Sequence, residues 1–575
     1  MSKASATTLS APMSATIAPV EKTEERGERF FLLLAIFIGI FSGLAVVCFR
    51  IAIEYVRITL LGPSLIPKFP RILLAPTLTG LVVAALVILL FPKVRGSGVN
   101  QTKSALYIYD GYIPFRTALG KFICSGLAIG SGQSLGPEDP SLQIGASIAS
   151  ALGRRLKLNR ERLRLIAPIG AAAGLSAAFN SPISAVLFVI EEVIGRWSAG
   201  IFGAVVLSAV SSVVVTRYFL GSEPLFRIPA VQFIAPTELL AYGALGIVGA
   251  FASVVFAKAI EILRPRMKAL PRWTHFLQPA IAGLIIGSIG WAGRPEIMGA
   301  GYAFMDRAMH DQFAWEIMGI LAGLKILTTV LSFSSGTPGG MFAPTLFIGA
   351  MLGGAVGGVE RLLFPHLTGS IGTYALVGMG VLFAGFLRVP MTSVFMVLEV
   401  SGNYSIIVPV ILANTLAYLI SRNLQPVGIF DLLSRQDGME LPSMEEQREE
   451  RVLRVEDAMH PVDVPIVGSD ATVREGLAFA EEQNAAEILV DDPPFGWCSL
   501  NTEKLRALEA QGKGRETIAH NIAAKRMPQI YPDNRLEVAL RHIGQWPFLP
   551  VMHRADPRQL VGLISMRDVM GAFVE

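Results

Sequence analysis

Long apolar runs constrain this chain more than any other feature. An α-helix needs roughly 20 apolar residues to cross a hydrocarbon core of about 30 Å. About ten or more runs of suitable length recur between Phe30 and Ile420, several of them short or interrupted by Gly and Pro, and they include Phe30–Val47, Ile72–Leu90, Leu239–Phe256 and Ile317–Phe333. With 52% hydrophobic and 16% charged residues, the chain is predicted to be a polytopic, all-α membrane protein.

The composition changes at both ends of this region. Residues 1–28 contain no apolar core and end in "EKTEERGE", which predicts an uncleaved, polar cytoplasmic tail. The membrane domain is predicted at 29–436, a charged linker at 437–451, and a soluble α/β domain at 452–575.

A net charge of +4 does not argue for a nucleic-acid partner. The three cysteines have no metal-ligand spacing, and no metal site is predicted.

The membrane domain contains an internal repeat. "EDPSLQIGASIASALG" (Glu138–Gly153) resembles "FAPTLFIGAMLGGAVG" (Phe342–Gly357), and Pro344 follows Pro140 by 204 residues. A second pair lies in the same order at nearly the same offset, Ala177–Glu192 with Ala384–Val400. A twofold repeat in a membrane protein is typical of transporters whose site lies between the halves and is built from broken helices.

Each copy of the repeat opens with glycine and proline beside a predicted helix start, "GPEDP" from Gly136 and "GGMFAP" from Gly339. A helix N-terminus carries unpaired N–H groups and roughly half a positive charge, so at membrane depth it attracts an anion reversibly. "RGSGVN" (Arg95–Asn100) fits the same interpretation, because Ser97 offers a neutral hydroxyl donor. The alternative is that Gly-Ser-Gly is simply a turn.

Two adjacent carboxylates open the first of these helices. Glu138 would lie in the helix-start anion site, where its own carboxylate is the natural occupant when no halide is bound. Charged, it competes with the anion, and protonated, it leaves, which predicts a gate. The alternative is that Glu138 or Asp139 merely caps its own helix, and Asp139 is predicted to be such a cap.

Further charges interrupt apolar runs. Glu191 and Glu192 end "SAVLFVIEEV", and carboxylates inside a membrane are candidates for function. If the run ends at an aqueous interface, the pair is instead an ordinary set of solvated charges. Lys121 and Lys325 either raise the local potential for anions or snorkel to an interface.

These motifs together resemble the CLC family of chloride channels and chloride/proton exchangers. The similarity covers about residues 29–436 and is carried by "GSGVN" for the family's GSGIP, "LGPEDPSLQ" for its G(K/R)EGP element, "AAFNSPISAVLFVIEE" and "SFSSGTPGGMFAP". It implies a CLC-like fold of two inverted repeats with broken, re-entrant helices. It also implies that the Ser97 hydroxyl and the N–H groups of Met341 and Phe342 hold a chloride, that Glu138 is the external gate, and that Glu192 is the internal proton-transfer glutamate.

Several positions depart from the family's pattern or bear on it. Asn100 and Gln101 replace the usual Pro-Glu, and Pro137 replaces the basic residue before the gate. Phe430 stands where the family has a chloride-contacting tyrosine, so a hydroxyl donor is lost from the predicted anion site. Lys121 falls where the family has a buried lysine, and the serine in "GSGVN" favours chloride.

The soluble domain resembles a pair of CBS modules, at about Val452–Glu509 and Ile522–Glu575. In the second module two short strands precede "GLISMRD" and a helix, which is similar to a ribose-contacting signature with Asp568 as the hydroxyl acceptor. Thr502 takes the place of that aspartate in the first module. A regulatory adenine nucleotide and a purely structural dimerisation role both remain open, and no other cofactor is predicted.

The resemblance implies chloride/proton antiport through a pathway in each subunit of a homodimer, in a bacterial inner membrane, with the CBS modules cytoplasmic. A passive chloride channel of the same fold is the nearest alternative. An intramembrane enzyme using Glu138, Asp139 and Glu192 is disfavoured, because the chain has 7 histidines and no His-Glu-x-x-His motif. A CBS-regulated receptor without transport is disfavoured by the anion-site glycines in both halves.

Overall fold

A computed structural model describes most of the chain, in the ranges 18–195, 199–222, 226, 238–364, 370–439, 441–442, 453–492, 496–521, 526–544, 546–554, 556 and 559–572, with the backbone alone at 18–28 and 199–200. The chain divides into two compact units, Met1–Arg448 and Glu449–Glu575. Residues 1–17 of the predicted tail and 443–451 of the predicted linker lie outside the described residues.

The apolar runs of the first unit fold as helices, in the order α1 (Ala18–Leu61), α2 (Arg71–Ala85), α3 (Gly98–Tyr107), α4 (Phe115–Gly130), α5 (Glu138–Arg155), α6 (Arg160–Phe179), α7 (Pro182–Phe188), α8 (Ala199–Leu220), α9 (Glu238–Ala269), α10 (Gln278–Trp291), α11 (Tyr302–Met309), α12 (Trp315–Ser334), α13 (Phe342–Leu363), α14 (Ile371–Leu387), α15 (Pro390–Ser401), α16 (Ile407–Leu424) and α17 (Ile429–Gln436). In the described part of the chain, 8 helices are long and apolar enough to cross a membrane, and three shorter apolar helices accompany them. The predicted multi-pass, all-α membrane domain is confirmed.

The predicted repeat is visible in how these helices pack. Helices α5 and α6 touch backbone to backbone, because a Cβ at Gly145 would collide with the carbonyl oxygen of Gly170. Helices α13 and α14 make the same contact between Gly349 and Gly378. The glycines that permit this approach lie 204 and 208 residues apart in the two copies, so the sequence repeat corresponds to a structural one.

The two copies join immediately before α5 and α13. Gly136 and Gly340 form an isolated antiparallel bridge in which each N–H donates to the other's carbonyl oxygen at 2.8 Å. The glycines match under the repeat offset, so this bridge lies on the local twofold that relates the copies. Both helix starts are therefore held side by side in the interior.

The second unit is α/β. Its strands are β1 (Ile466–Gly468), β2 (Glu487–Asp492), β3 (Gly496–Asn501), β4 (Phe548–Met552) and β5 (Leu560–Ser565), and its helices are α18 (Val455–Ala458), α19 (Val473–Glu482), α20 (Thr502–Ala510), α21 (Ile518–Asn521), α22 (Leu536–Ile543) and α23 (Met566–Ala572).

The order helix, two antiparallel strands, helix occurs twice in this unit. Strand β2 pairs antiparallel with β3 and parallel with β1, and β4 pairs antiparallel with β5. Ile488 and Val490 of β2 pack against Val473 and Leu477 of α19, which buries one face of the first sheet. The predicted two strands followed by a helix at "GLISMRD" are confirmed by β4, β5 and α23.

Candidate functional site

The Glu138 carboxylate lies at the N-terminus of α13, the helix that opens the second copy of the repeat. It is fully buried. Its Oε2 accepts the Ala343 N–H at 3.3 Å, and its Oε1 accepts the Tyr302 hydroxyl. Sequence reasoning missed Tyr302, which opens α11 and is the repeat counterpart of Gly98 at the start of α3. An anion thus occupies the partial positive charge of α13, and that anion is a side chain that a proton can neutralise.

Asp139 does not cap its own helix, and that prediction is wrong. Its carboxylate reaches across to the N-terminus of α3, where it accepts the Ser97 hydroxyl at 2.9 Å, the Gly98 N–H at 2.8 Å and the Val99 N–H at 3.2 Å. The Lys121 ammonium lies 3.8 Å away. The two adjacent carboxylates of α5 therefore serve two different helix starts, Glu138 that of α13 and Asp139 that of α3.

Phe430 lies beside both of these helix starts. Its ring centroid is 6.2 Å from that of Phe342, the first residue of α13, and 6.1 Å from that of Phe188. Its carbonyl oxygen accepts the Asn100 side-chain amide at 2.8 Å. Asn100, which departs from the family's proline, thus fastens α17 to α3. Met341 and Phe342 are buried next to this cluster.

The two lysines that interrupt apolar runs are fully buried, so the predicted alternative of snorkelling to an interface is wrong. Each ammonium donates to two carbonyl oxygens in the segment before a short helix, Lys121 to Val94 and Gly96 at 3.2 and 2.9 Å, and Lys325 to Ile297 and Gly299 at 2.9 and 2.7 Å. These contacts match under the repeat and hold the segments that lead into α3 and α11.

Glu191 caps a helix of the opposite repeat. Its carboxylate accepts the Thr392 N–H at 2.9 Å and the Thr392 hydroxyl at 2.7 Å, at the start of α15. Glu399 does the same for α7, accepting the Ser184 N–H at 2.7 Å. The alternative of solvated helix-end charges is wrong, because Glu191 is buried. This reciprocal pair assigns Glu191 a structural role.

Glu192 has different partners. Its Oε1 accepts from the Lys103 ammonium at 3.0 Å, and Lys103 also contacts Asp431 at 3.2 Å. Lys103 and Glu192 are buried, and the Asp431 side chain is 14% exposed, so the group forms a charged triad inside the domain with a small opening at Asp431. Neither Lys103 nor Asp431 was identified from the sequence.

A cavity of about 800 Å³ opens next to Tyr302 and Pro137. Arg50, Glu54 and Arg57 also line it. Arg50 of α1 adds a positive charge to the lining, to which Pro137 also belongs. Two of the three charged residues in this lining are basic, and Arg57 is paired with Glu54 at 2.6 Å, so the lining has a net positive charge.

Asp568 is engaged by groups of the C-terminal α/β unit. Its Oδ2 accepts the Ser565 N–H at 2.7 Å and the Ser565 hydroxyl at 2.6 Å, and it lies 3.3 Å from His460 Nε2. In the first module the Thr502 hydroxyl donates to the Ala485 carbonyl at 2.6 Å. Both residues begin or lie in the helix that follows an antiparallel strand pair, as predicted.

Two helix repeats that start against each other inside a membrane-spanning bundle, with buried carboxylates at those starts, define a membrane transport protein. Residues 79–422 match the family described as voltage gated chloride channel. This match covers more than half of the chain, and the chain belongs to that family. The predictions of a CLC-family fold and of a transport protein instead of an enzyme are confirmed.

The relatives in this family include transporters and channels. The chain is 30% identical to the putative chloride channel protein ClcB-like of Ralstonia nicotianae, over 72% of this chain and 99% of that protein. It is 31% identical to the H(+)/Cl(-) exchange transporter ClcA of Vibrio campbellii, over 69% of this chain and 87% of that protein.

Solved structures share the fold. A slow cyanobacterial Cl−/H+ antiporter matches with a TM-score of 0.65 and 24% identity, over 70% of this chain and 97% of that one. A eukaryotic CLC transporter matches with a TM-score of 0.62 and 20% identity, over 94% of this chain and 97% of that one. The second match extends into the C-terminal α/β unit. The roles of the individual site residues stay predictions.

Proposed function

We propose that the protein exchanges chloride for protons across a membrane, with Glu138 as the group through which the two fluxes meet. The observation that carries the proposal is the Glu138 carboxylate itself, which is buried and bonded to the N-terminus of α13 through Ala343. A free anion would use the same N–H groups. The charged carboxylate and a chloride therefore exclude each other at this place, and protonation, which lets the carboxylate leave, frees the position for the anion.

Chloride on this proposal is held between the start of α3 and the start of α13. The donors are the Ser97 hydroxyl and the N–H groups of Met341 and Phe342, with the Phe430 ring as an apolar wall that contributes no hydroxyl. Neutral donors give moderate affinity, which suits an ion that must be released. Relatives named as H(+)/Cl(-) exchange transporters support this substrate pair.

Protons reach the opposite side of the domain through Glu192 on this proposal. Glu192 is a buried carboxylate outside the predicted anion path, and its partner is a cation, Lys103. The polar opening at Asp431 supplies a route for a proton between this triad and solvent.

Flux measurements on the reconstituted protein test the proposal. Proteoliposomes carrying a chloride gradient are monitored with a chloride electrode and a pH electrode at the same time. We expect chloride efflux to drive protons into the vesicles, opposite to the chloride flux. This proton uptake should persist when the membrane potential is clamped. Chloride flux without proton movement would contradict exchange.

The second candidate function is a passive chloride channel of the same fold. Phe430 favours it, because the hydroxyl that the family places at the anion is missing and a weakly held ion couples less tightly to a proton. The same recordings separate the two functions. A channel dissipates the chloride gradient with no proton movement at any clamped potential, and its chloride flux follows the electrochemical gradient of chloride alone.

The assembly and location that the family resemblance implies are also part of the proposal. We propose a homodimer with an independent pathway in each subunit. We place it in a bacterial inner membrane, with the C-terminal α/β unit on the cytoplasmic side. The 8 helices that are long and apolar enough to span a bilayer within the described residues support a multi-pass membrane protein as such.

For the C-terminal unit we propose an adenine-nucleotide site that includes Asp568. Because the Asp568 carboxylate already bonds Ser565 and lies near His460, a ribose would have to exchange for one of these contacts. We expect millimolar ATP to raise the melting temperature of the full-length protein, and Asp568→Ala to remove the shift. Asp533→Ala, which breaks an exposed pair with Arg554 in the same unit, is the matched control. No shift in the unmodified protein leaves dimerisation as the role of this unit.

A further inference from the structure

We propose that the Asp139 carboxylate is a resident anion that fills the halide position at the start of α3 and thereby sets the protein's chloride affinity. The inference rests on the proposed function in one respect, namely that chloride approaches Ser97. It assigns control of chloride affinity to a residue that the sequence predicts to be a helix cap.

The contacts of Asp139 are those that a halide would make at this place. The carboxylate takes the Ser97 hydroxyl and the N–H groups of Gly98 and Val99, at 2.8 to 3.2 Å. These are the first donors of α3, and they carry its partial positive charge. Asp139 is 2% exposed, so these donors are removed from water as they would be around a bound ion.

The position of Asp139 between the two repeats supports the same conclusion. A Cβ built on Gly340 would come within 2.8 Å of the Asp139 Cβ, so residue 139 lies between α3 and the segment that enters α13. This is the space that the predicted chloride must enter to reach Ser97 and Met341 together. The Asp139 carboxylate and a chloride bonded to the same Ser97 hydroxyl would therefore compete for that donor.

The charges around Asp139 also favour competition between its carboxylate and a chloride. The Lys121 ammonium is 3.8 Å from the Asp139 carboxylate, and its remaining bonds go to the carbonyl oxygens of Val94 and Gly96. The positive charge of Lys121 is thus already compensated by the Asp139 carboxylate, an anion that belongs to the protein itself. Chloride binding next to Ser97 adds a second negative charge beside one that cannot diffuse away, and the two repel each other.

Removing the tethered anion tests the proposal. A group tethered at its own site competes at an effective concentration on the order of millimolar or more, so we expect Asp139→Gly to tighten equilibrium chloride binding roughly tenfold or more. Calorimetric titration of the purified full-length protein with chloride measures this. Asp139→Asn keeps a carbonyl oxygen for the Gly98 N–H and loses the charge, and we expect it to tighten binding by a smaller factor.

The dependence of the melting temperature on chloride concentration provides a second measurement. It also tests the proposal if a variant folds poorly. A ligand that binds the folded state raises its stability with concentration. We expect the melting temperature of Asp139→Gly and Asp139→Asn to rise more steeply with chloride than that of the unmodified protein, with gluconate as the reference anion. A cap whose role is purely structural would lower both melting temperatures equally in chloride and in gluconate.

The matched control is Glu399→Gln, which neutralises another carboxylate bonded to a helix N-terminus, that of α7 through Ser184, away from the predicted anion path. We expect it to leave chloride affinity unchanged. The inference is overturned if both Asp139 variants bind chloride as the unmodified protein does and show the same chloride dependence of stability. If the unmodified protein moves chloride and protons in liposomes while the variants behave in this way, the proposed function stands and this inference alone fails.

Discussion

Glu138→Gln is expected to leave chloride flux running and to stop proton movement. The amide oxygen can still accept the Ala343 N–H, and the amide NH2 group can donate to the Tyr302 hydroxyl oxygen in place of the bond that the carboxylate accepts now, so the variant is expected to fold. The amide has no negative charge to compete with chloride and no proton to exchange at neutral pH. Chloride should therefore enter freely while the coupled proton flux falls to that of protein-free vesicles.

Simultaneous chloride and pH recordings on proteoliposomes measure this effect. Glu54→Gln is the matched control, because Glu54 lines the same cavity but is paired with Arg57 at 2.6 Å on an exposed helix face. We expect it to keep the proton-to-chloride ratio of the unmodified protein. If Glu138→Gln also keeps that ratio, Glu138 is a helix-start cap and not the gate.

Glu192→Gln is expected to abolish proton flux while chloride still permeates. Lys103 keeps Asp431 as a counter-charge at 3.2 Å, so the buried ammonium is not left isolated and the domain is expected to fold. Since Glu192 makes no part of the predicted anion site, the chloride path is unchanged. The readout is again the paired recording of chloride and pH.

Glu191→Gln provides an unusually close control, because it makes the same substitution at the preceding residue. Glu191 caps α15 through Thr392, and a cap contributes roughly 0.5–2 kcal/mol. We expect this variant to lower the melting temperature and to keep coupled exchange. If Glu192→Gln loses both fluxes in a folded protein, or if Glu191→Gln loses proton coupling, the assignment of the proton route to Glu192 is wrong.

The elements of the site that are local in sequence could be predicted, and those that depend on distant contacts could not. The starts of α5 and α13 follow from Gly and Pro at fixed positions, and the two copies reveal themselves through a common offset. The destination of Asp139 depends on where α3 lies, and α3 begins 41 residues earlier in the chain. Helix-capping rules consider the residue's own helix first, which is why the sequence alone assigned the wrong helix to Asp139.

Two other residues illustrate the same limit. Tyr302 follows "GAG" in an unremarkable loop, yet the 204-residue offset from Gly98 would have marked it as the start of α3's counterpart. Lys103 lies in the mostly polar stretch "VNQTKSALY", where a lysine reads as a solvated charge. Its burial is a property of the assembled bundle, since Glu192 and Asp431 reach it from elements 89 and 328 residues away.

The mutual backbone bonds of Gly136 and Gly340 restrict which parts of this protein can move during a transport cycle. Sliding one repeat along the other would break both bonds and leave buried N–H and carbonyl groups unsatisfied, at about 1–3 kcal/mol each. Rotation of the Glu138 side chain exchanges its own bonds to Tyr302 and Ala343 but leaves these two backbone bonds intact. On the proposed function, the Glu138 gate can therefore open while the two repeats stay bonded to each other at Gly136 and Gly340.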